Sequence, residues 1–226
     1  MLERSIQKAC PSSGQPSPHE LQESRVWRLA GGWSRNIYCL TGYLEGMKVS
    51  DLNGQSLEQD EGFRYWTAVT SSIREHSRCV FMIGNGASAS MASHISADLA
   101  KNGRLHTEVF SDLSLITAIA NDMGYDEVFA EPLRRRMKVG DMLVAVSSSG
   151  KSPNVLKAAQ EARRLGGFVV TLTAMSSGNP LRASGDLNFY VSAHTYGEAE
   201  TCHAAILHHW MDHLDLGENA PTMAGY

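Results

Sequence analysis

His94 and Asp98 stand four residues apart, a spacing that puts both side chains on one face of a helix. Later in the chain, Glu200, His203 and His208 fall within a stretch of helical character over 198–213. Glu200 and His208, two turns apart, lie close to one face there. Two such helices facing each other present two imidazoles and two carboxylates to one point. That set suits a zinc-type divalent ion or paired acid–base work on a proton. His209 and His213 read as ordinary helical histidines. A second group consists of hydroxyls: Ser147, Ser148, Ser149 and Ser152 surround Gly150 just before Pro153. One of them suffices to cap a helix starting at Pro153, so four point to a bound phosphate. Asp112, directly after an apolar segment, reads either as a helix N-cap or as a ligand for a sugar hydroxyl.

The elements that must position these groups are legible from the apolar runs. Val80-Phe81-Met82-Ile83 breaks at Gly84-Asn85-Gly86-Ala87-Ser88 and continues as a helix of small residues. Glycines let a backbone approach a ligand closely, and a helix N-terminus offers unpaired N–H groups with partial positive charge. The pattern recurs where Met142-Leu143-Val144-Ala145-Val146 runs into the serine-rich loop. Strands are expected at 79–83, 107–110, 142–147, 168–173 and 188–192. Helices are expected at 88–102, 112–120, 126–137, 153–165 and 198–214. This alternation predicts an α/β fold with right-handed crossovers and a parallel sheet covered on both faces. Both Gly/Ser loops then fall at the carboxyl edge, where such sheets bind ligands. Upstream, Pro/Ser-rich residues 1–19 read as a disordered tail, and 20–78 as an N-terminal helical layer. Within it Leu21, Val26, Trp27, Leu29, Ile37, Leu40 and Leu44 recur at helical spacing, interrupted at Gly31-Gly32. A second helix is expected over 56–76 with Phe63, Trp66, Val69 and Ile73. The main domain spans 79–216 and a short C-terminal tail 217–226.

Composition narrows the function classes. The 226 residues carry a net charge of −4 and four scattered cysteines without a CxxC pair. No basic stripe marks a nucleic-acid surface, and Arg134-Arg135-Arg136 with Lys138 reads as a solvated helix face. No apolar run is long enough to span a bilayer, and no secretion signal opens the chain. A cytoplasmic protein with neither nucleic-acid nor membrane partners is expected.

Six ordered motifs over 80–214 resemble the sugar isomerase (SIS) domain proteins, and among them the phosphoheptose isomerases. They are Gly84-Asn85-Gly86-Ala87-Ser88, His94-x3-Asp98, Phe110-Ser111-Asp112-Leu113-Ser114, Asn121-Asp122-Met123-Gly124-Tyr125, the 147–155 serine loop, and Glu200-x2-His203-x4-His208. The resemblance implies a flavodoxin-like three-layer sandwich with a five-stranded parallel sheet. It implies a homotetramer with active sites at subunit interfaces. It also implies interconversion of sedoheptulose 7-phosphate and a heptose 7-phosphate through a cis-enediol. Substrate contacts would come from Asn85, Gly86, Ser88, Asp112, Asn121, Asp122, Ser147, Ser148, Ser149 and Ser152. Zinc would be held by His94, Asp98, Glu200 and His208, with Asp98, Glu200 and His208 catalytic. The chain departs from the family where Asp98 replaces a usual glutamate and Glu200 a usual glutamine. Asn102 replaces an arginine, and Ala87 a glycine. These exchanges leave open whether Asp98 or Glu200 is the base. They also leave open a longer substrate, an octulose 8-phosphate of specialised metabolism. A non-catalytic phosphosugar- or protein-binding role is the reading from a different class.

Overall fold

The computed structural model describes residues 32–215. Two compact units divide the chain, Met1–Gly46 and Met47–Tyr226. In the first, the described residues form α1 (Trp33–Glu45), closed by Gly46, whose N–H donates to the carbonyls of Gly42 and Leu44. The tail expected over 1–19, the helix expected over 20–31 and the tail over 217–226 lie outside the described residues.

The second unit begins with β1 (Lys48–Asp51), β2 (Ser56–Leu57), α2 (Gln59–Glu75), β3 (Cys79–Gly84) and α3 (Ala87–Lys101). It continues with β4 (His106–Val109), α4 (Leu113–Asp122), α5 (Ala130–Arg136), β5 (Met142–Ser147) and α6 (Pro153–Arg164). It ends with β6 (Phe168–Ala174), β7 (Leu187–Val191) and α7 (Tyr196–Asp215), with single 3₁₀ turns at Tyr125–Glu127 and Pro180–Ala183. Strands β3, β5 and β7 are buried at every position, which explains their continuous apolar runs: a parallel sheet covered on both faces has no polar side.

The sheet order is β2-β1-β7-β6-β5-β3-β4. Its five parallel strands, β4-β3-β5-β6-β7, follow the flavodoxin-like order 2-1-3-4-5. The sheet has seven strands rather than five, because β1 adds antiparallel to β7 and β2 to β1. The segment expected to be a helical layer therefore also contains a hairpin. Val49 is its anchor, 1% exposed and paired with Phe189. One sheet face packs against α4, α5 and α6 through Phe81, Ile83, Leu143, Ala145, Leu133 and Ala159. On the other, Trp66 of α2 stacks on Trp210 of α7 at 4.0 Å between ring centroids, and both Phe63 and Trp66 lie against Phe189. Chain order reverses between β3 and β5, and their outgoing helices α3 and α6 cover opposite faces. That junction is the switch point of the sheet.

Candidate active site

Both glycine/serine loops leave the switch point, and their geometry is built from side-chain pairs. Gly84 ends β3 where a Cβ would lie 2.6 Å from that of Ser88, so only glycine lets α3 start this close to the strand. Asn85 joins the two loops: its Nδ2 donates to Asn154 Oδ1 (3.0 Å), and its Oδ1 accepts from Asn154 Nδ2 (2.9 Å). The Tyr125 hydroxyl also donates to Asn85 Oδ1, at 3.2 Å. Neither α3 nor α6 has an N-cap side chain bonded to its first N–H groups, although the Val155 N–H of α6 donates to Asn154 Oδ1 at 3.0 Å. These groups and the helix dipoles make an anion-attracting edge.

The serine loop is held from below and open above. Gly150 takes φ +60°, and its N–H donates to the Ser147 carbonyl (3.0 Å) and hydroxyl (3.2 Å). A side chain at Gly150 would run into Asn179, whose own amide bonds Ser176 and the Arg182 N–H. The backbone bonds Ala174 to Ser148 and Leu181 to Gly150 tie the loop to the segment after β6. Ser152 occupies the N-cap position of α6, yet its hydroxyl faces Ser147 Oγ at 3.4 Å and makes no cap bond. Ser149 Oγ accepts from the Lys151 N–H at 3.3 Å. Ser148 Oγ is buried without a hydrogen-bond partner among the described residues, a position that a ligand oxygen would satisfy.

The expected sugar-side residues divide into two groups. Asp112 caps α4, its Oδ1 accepting from Leu115 N at 2.8 Å, so the capping reading is met. Asn121 donates to Asp122 at 2.8 Å in an exposed pair at the far end of α4. Neither is linked to Asn85 directly; Tyr125, three residues beyond Asp122, makes that link. Beside Asn85 and Gly86 lies a cavity of about 260 Å³, lined mostly by apolar groups such as Ile83, Val109, Phe110 and Ile116.

The expected acid–base group forms where α3 faces α7. His94 Nε2 lies 3.5 Å from Asp98 Oδ2, and the His94 and His208 rings are 5.4 Å apart between centroids. Glu200 is half-buried on α7. The four donor groups do not gather within 4.8 Å of one another; among the described residues, Cys79, His106 and Glu108 do. Helix geometry gives the reason. Both helices leave the carboxyl edge and run the same way, so Glu200 stands about 12 Å before His208 and Asp98 about 6 Å beyond His94. In one chain the two carboxylates therefore flank the histidine pair. His203, in the same motif, is fully buried, with no well-formed hydrogen bond to either ring nitrogen among the described residues and only a weak influence from the Thr173 backbone. Burial pushes its imidazole down to about 4, opposed in part by the Thr173 backbone. It is a neutral core residue, turned away from the His94–His208 contact.

The sequence profile of the SIS domain matches residues 51–174, more than half of the chain. This chain belongs to the SIS-domain family. Phosphoheptose isomerase of Mycobacterium tuberculosis is 37% identical over 150 residues, covering 63% of this chain and 75% of that protein. The Streptomyces coelicolor enzyme of the same name is 40% identical over 152 residues, covering 63% and 65%. Among solved structures, phosphoheptose isomerase GmhA from Neisseria gonorrhoeae aligns at TM-score 0.71 and 26% identity, over 87% of this chain and 99% of that one. A phosphoheptose isomerase from Francisella tularensis aligns at 0.65 and 27%, over 69% and 85%. The SIS domain thus stands among aldose–ketose isomerases.

Within this SIS domain, a hydroxyl-rich cradle and an imidazole–carboxylate pair are both attached to one switch point. The cradle follows β5, and the pair rides on the helix that starts from the Asn85 loop. Sequence reasoning missed Asn154, Tyr125 and Asn179 as builders of the site. Asn154 carried a signal in its place within the 147–155 motif, and its 1% exposure in the structure shows why it needs an interior partner. Tyr125 carried only its place at the end of the Asn121-Asp122-Met123-Gly124-Tyr125 motif, since its partner Asn85 is 40 residues away, and Asn179 reads as a local cap whose approach to Gly150 the sequence does not reveal.

Proposed function

We propose that this chain interconverts sedoheptulose 7-phosphate and a heptose 7-phosphate through a cis-enediol. One observation carries the reading: the helix leaving the Asn85 loop brings His94, itself paired with Asp98, against His208, while Asn154 ties that loop to the serine cradle. Phosphate in the 147–152 loop, with Ser88 beside it, would fix one end of the open-chain sugar. Such positioning supplies much of the entropic part of a rate enhancement. Asn85, Gly86 and Asp112 would meet the sugar hydroxyls, with Asn121 and Asp122 closing the far side. Asp98 or Glu200 takes the proton from the carbon next to the carbonyl, and His208 moves a proton between the two oxygens. The donor types, two imidazoles and carboxylate oxygen, suit zinc, and His94, Asp98 and His208 would hold it, with Glu200 supplied by a neighbouring copy at the proposed subunit interface. A zinc ion, when bound, polarises a carbonyl.

The proposed assembly is a cytoplasmic homotetramer with active sites at subunit interfaces. Exposed Leu113, Met123 and Tyr125 around the ends of α4 support burial against another copy. The deciding experiment is incubation with sedoheptulose 7-phosphate in deuterated water. Deuterium is expected at the carbon adjacent to the carbonyl. Label appearing only with an octulose 8-phosphate would reassign the substrate. Tight binding of phosphosugars without any exchange would overturn the enzymatic reading in favour of a sensor.

A further inference from the structure

The opposite edge of the sheet carries a second group of ligating side chains. Cys79 opens β3, and His106 opens β4 directly across from it in the parallel register. Glu108 follows His106 by two residues, so the pleat puts both side chains on the same face. The thiol sulfur, one imidazole nitrogen and one carboxylate oxygen all lie within 4.8 Å of one another. We propose that Cys79, His106 and Glu108 form a zinc-type metal site at the amino edge of the sheet, away from the switch point.

Three features of the surroundings favour a cation there. First, the donor set is one thiolate, one imidazole and one carboxylate, which selects a borderline ion such as Zn²⁺ or Co²⁺ over Mg²⁺ or Ca²⁺. Tetrahedral zinc sets its donor atoms roughly 3.5 Å apart, so small side-chain rotations close the group. Second, the scaffold is fixed. Asp141 is 2% exposed and spends both oxygens on backbone, Oδ1 on Cys79 N (2.9 Å) and Oδ2 on Lys138 N (2.7 Å). It holds the start of β3 in place and is left out of the ligand set. Third, the local field is negative. Asp141 accepts the Cys79 N–H and a Glu108 oxygen lies within 4.8 Å of the thiol sulfur, so two carboxylates stand beside Cys79. Binding a cation there releases the thiol proton as the metal–sulfur bond forms.

One positive group already uses this acid. Arg136 Nη1 donates to Glu108 Oε2 at 2.9 Å, which leaves Oε1 for a metal. His106 is exposed on the edge strand and gives the ion its path in, while Cys79 is buried behind it. Three protein ligands with water in the fourth position complete the coordination.

The test is titration of chelator-treated full-length protein with Co²⁺ alone. A near-ultraviolet thiolate-to-cobalt charge-transfer band is expected, bleached when Zn²⁺ is added. The His94/His208 pair offers no thiolate, so this band reads only a cysteine site. Cys79→Ser should abolish it. His106→Ala, on an exposed edge position that leaves the core intact, should weaken Co²⁺ affinity by at least the roughly 10-fold seen for lost outer-shell partners. A band persisting in Cys79→Ser would place the thiolate elsewhere and overturn the proposal. So would the absence of a band in the wild-type protein, or equal affinities for wild type and His106→Ala. Circular dichroism of both variants separates loss of ligand from loss of fold. If Cys79→Ser unfolds, the His106→Ala affinity decides.

Discussion

His203 and His208 sit five residues apart on one helix, and their surroundings give them opposite roles. His203 is sealed in the core with no well-formed hydrogen bond among the described residues, whereas His208 is half-buried against the His94 ring. Only the second can exchange protons with a ligand. His208→Ala should therefore lower kcat by about 10²–10⁴, the usual worth of a positioned acid or base. Its urea midpoint should stay close to that of the wild type, since a half-buried imidazole contributes little packing. Wild-type turnover in that variant would remove His208 from the mechanism. At this scale the sequence was partly readable. Spacing identified the His94–Asp98 face because a four-residue step on a helix dictates contact. It could not report that Asn154 pairs with Asn85, because that pair forms only when two strands become neighbours. Spacing already put Glu200 two turns from His208, but it could not show that His94 meets His208 and leaves Glu200 aside, because that depends on how α3 packs against α7.

Among the elements, the parallel strands announced themselves because burial on both faces demands unbroken apolar runs, as in Cys79–Gly84 and Met142–Ser147. The hairpin of β1 and β2 did not. Lys48-Val49-Ser50-Asp51 offers one apolar residue, and its pairing is decided by the free edge of β7. The serine loop shows how an element's shape can rest on a single absent side chain. Gly150 combines φ +60° with contact against Asn179, so Gly150→Ala meets both strain and a clash. Strain of this kind costs about 1–3 kcal/mol, and relief requires the loop to move away from the segment after β6. The expected result is a lower urea midpoint together with a raised KM for phosphosugar. A variant with unchanged KM would show that the loop's position has no bearing on substrate binding.

For the molecule as a whole, the buried neutral imidazole links stability to pH. An unfolded chain protonates His203 near its ordinary 6.5, while the folded chain resists until about 4. Between those values the unfolded state binds more protons, so acidification favours unfolding. Stability should be fully present above pH 6.5 and fall as pH drops toward 4, by an amount on the order of 3 kcal/mol at most. The carboxylates around Arg134 and Lys157 act elsewhere on the scale. Hydrogen bonds from Lys157 hold Asp126 and Glu127 below the usual carboxylate range, and those from Arg134 and Arg164 do so for Glu131 and Glu161. Their contribution is present above the unfolded carboxylate range and is lost only as pH falls through their lowered values. Exposure and salt weaken it further. The two effects therefore occupy separate windows. His203→Leu, close in size and without a proton to bind, should flatten the slope of unfolding free energy between pH 6.5 and 4 and leave the steeper loss below it. An unaltered slope in that variant would mean that another group, and not the core imidazole, sets the acid limit of this fold.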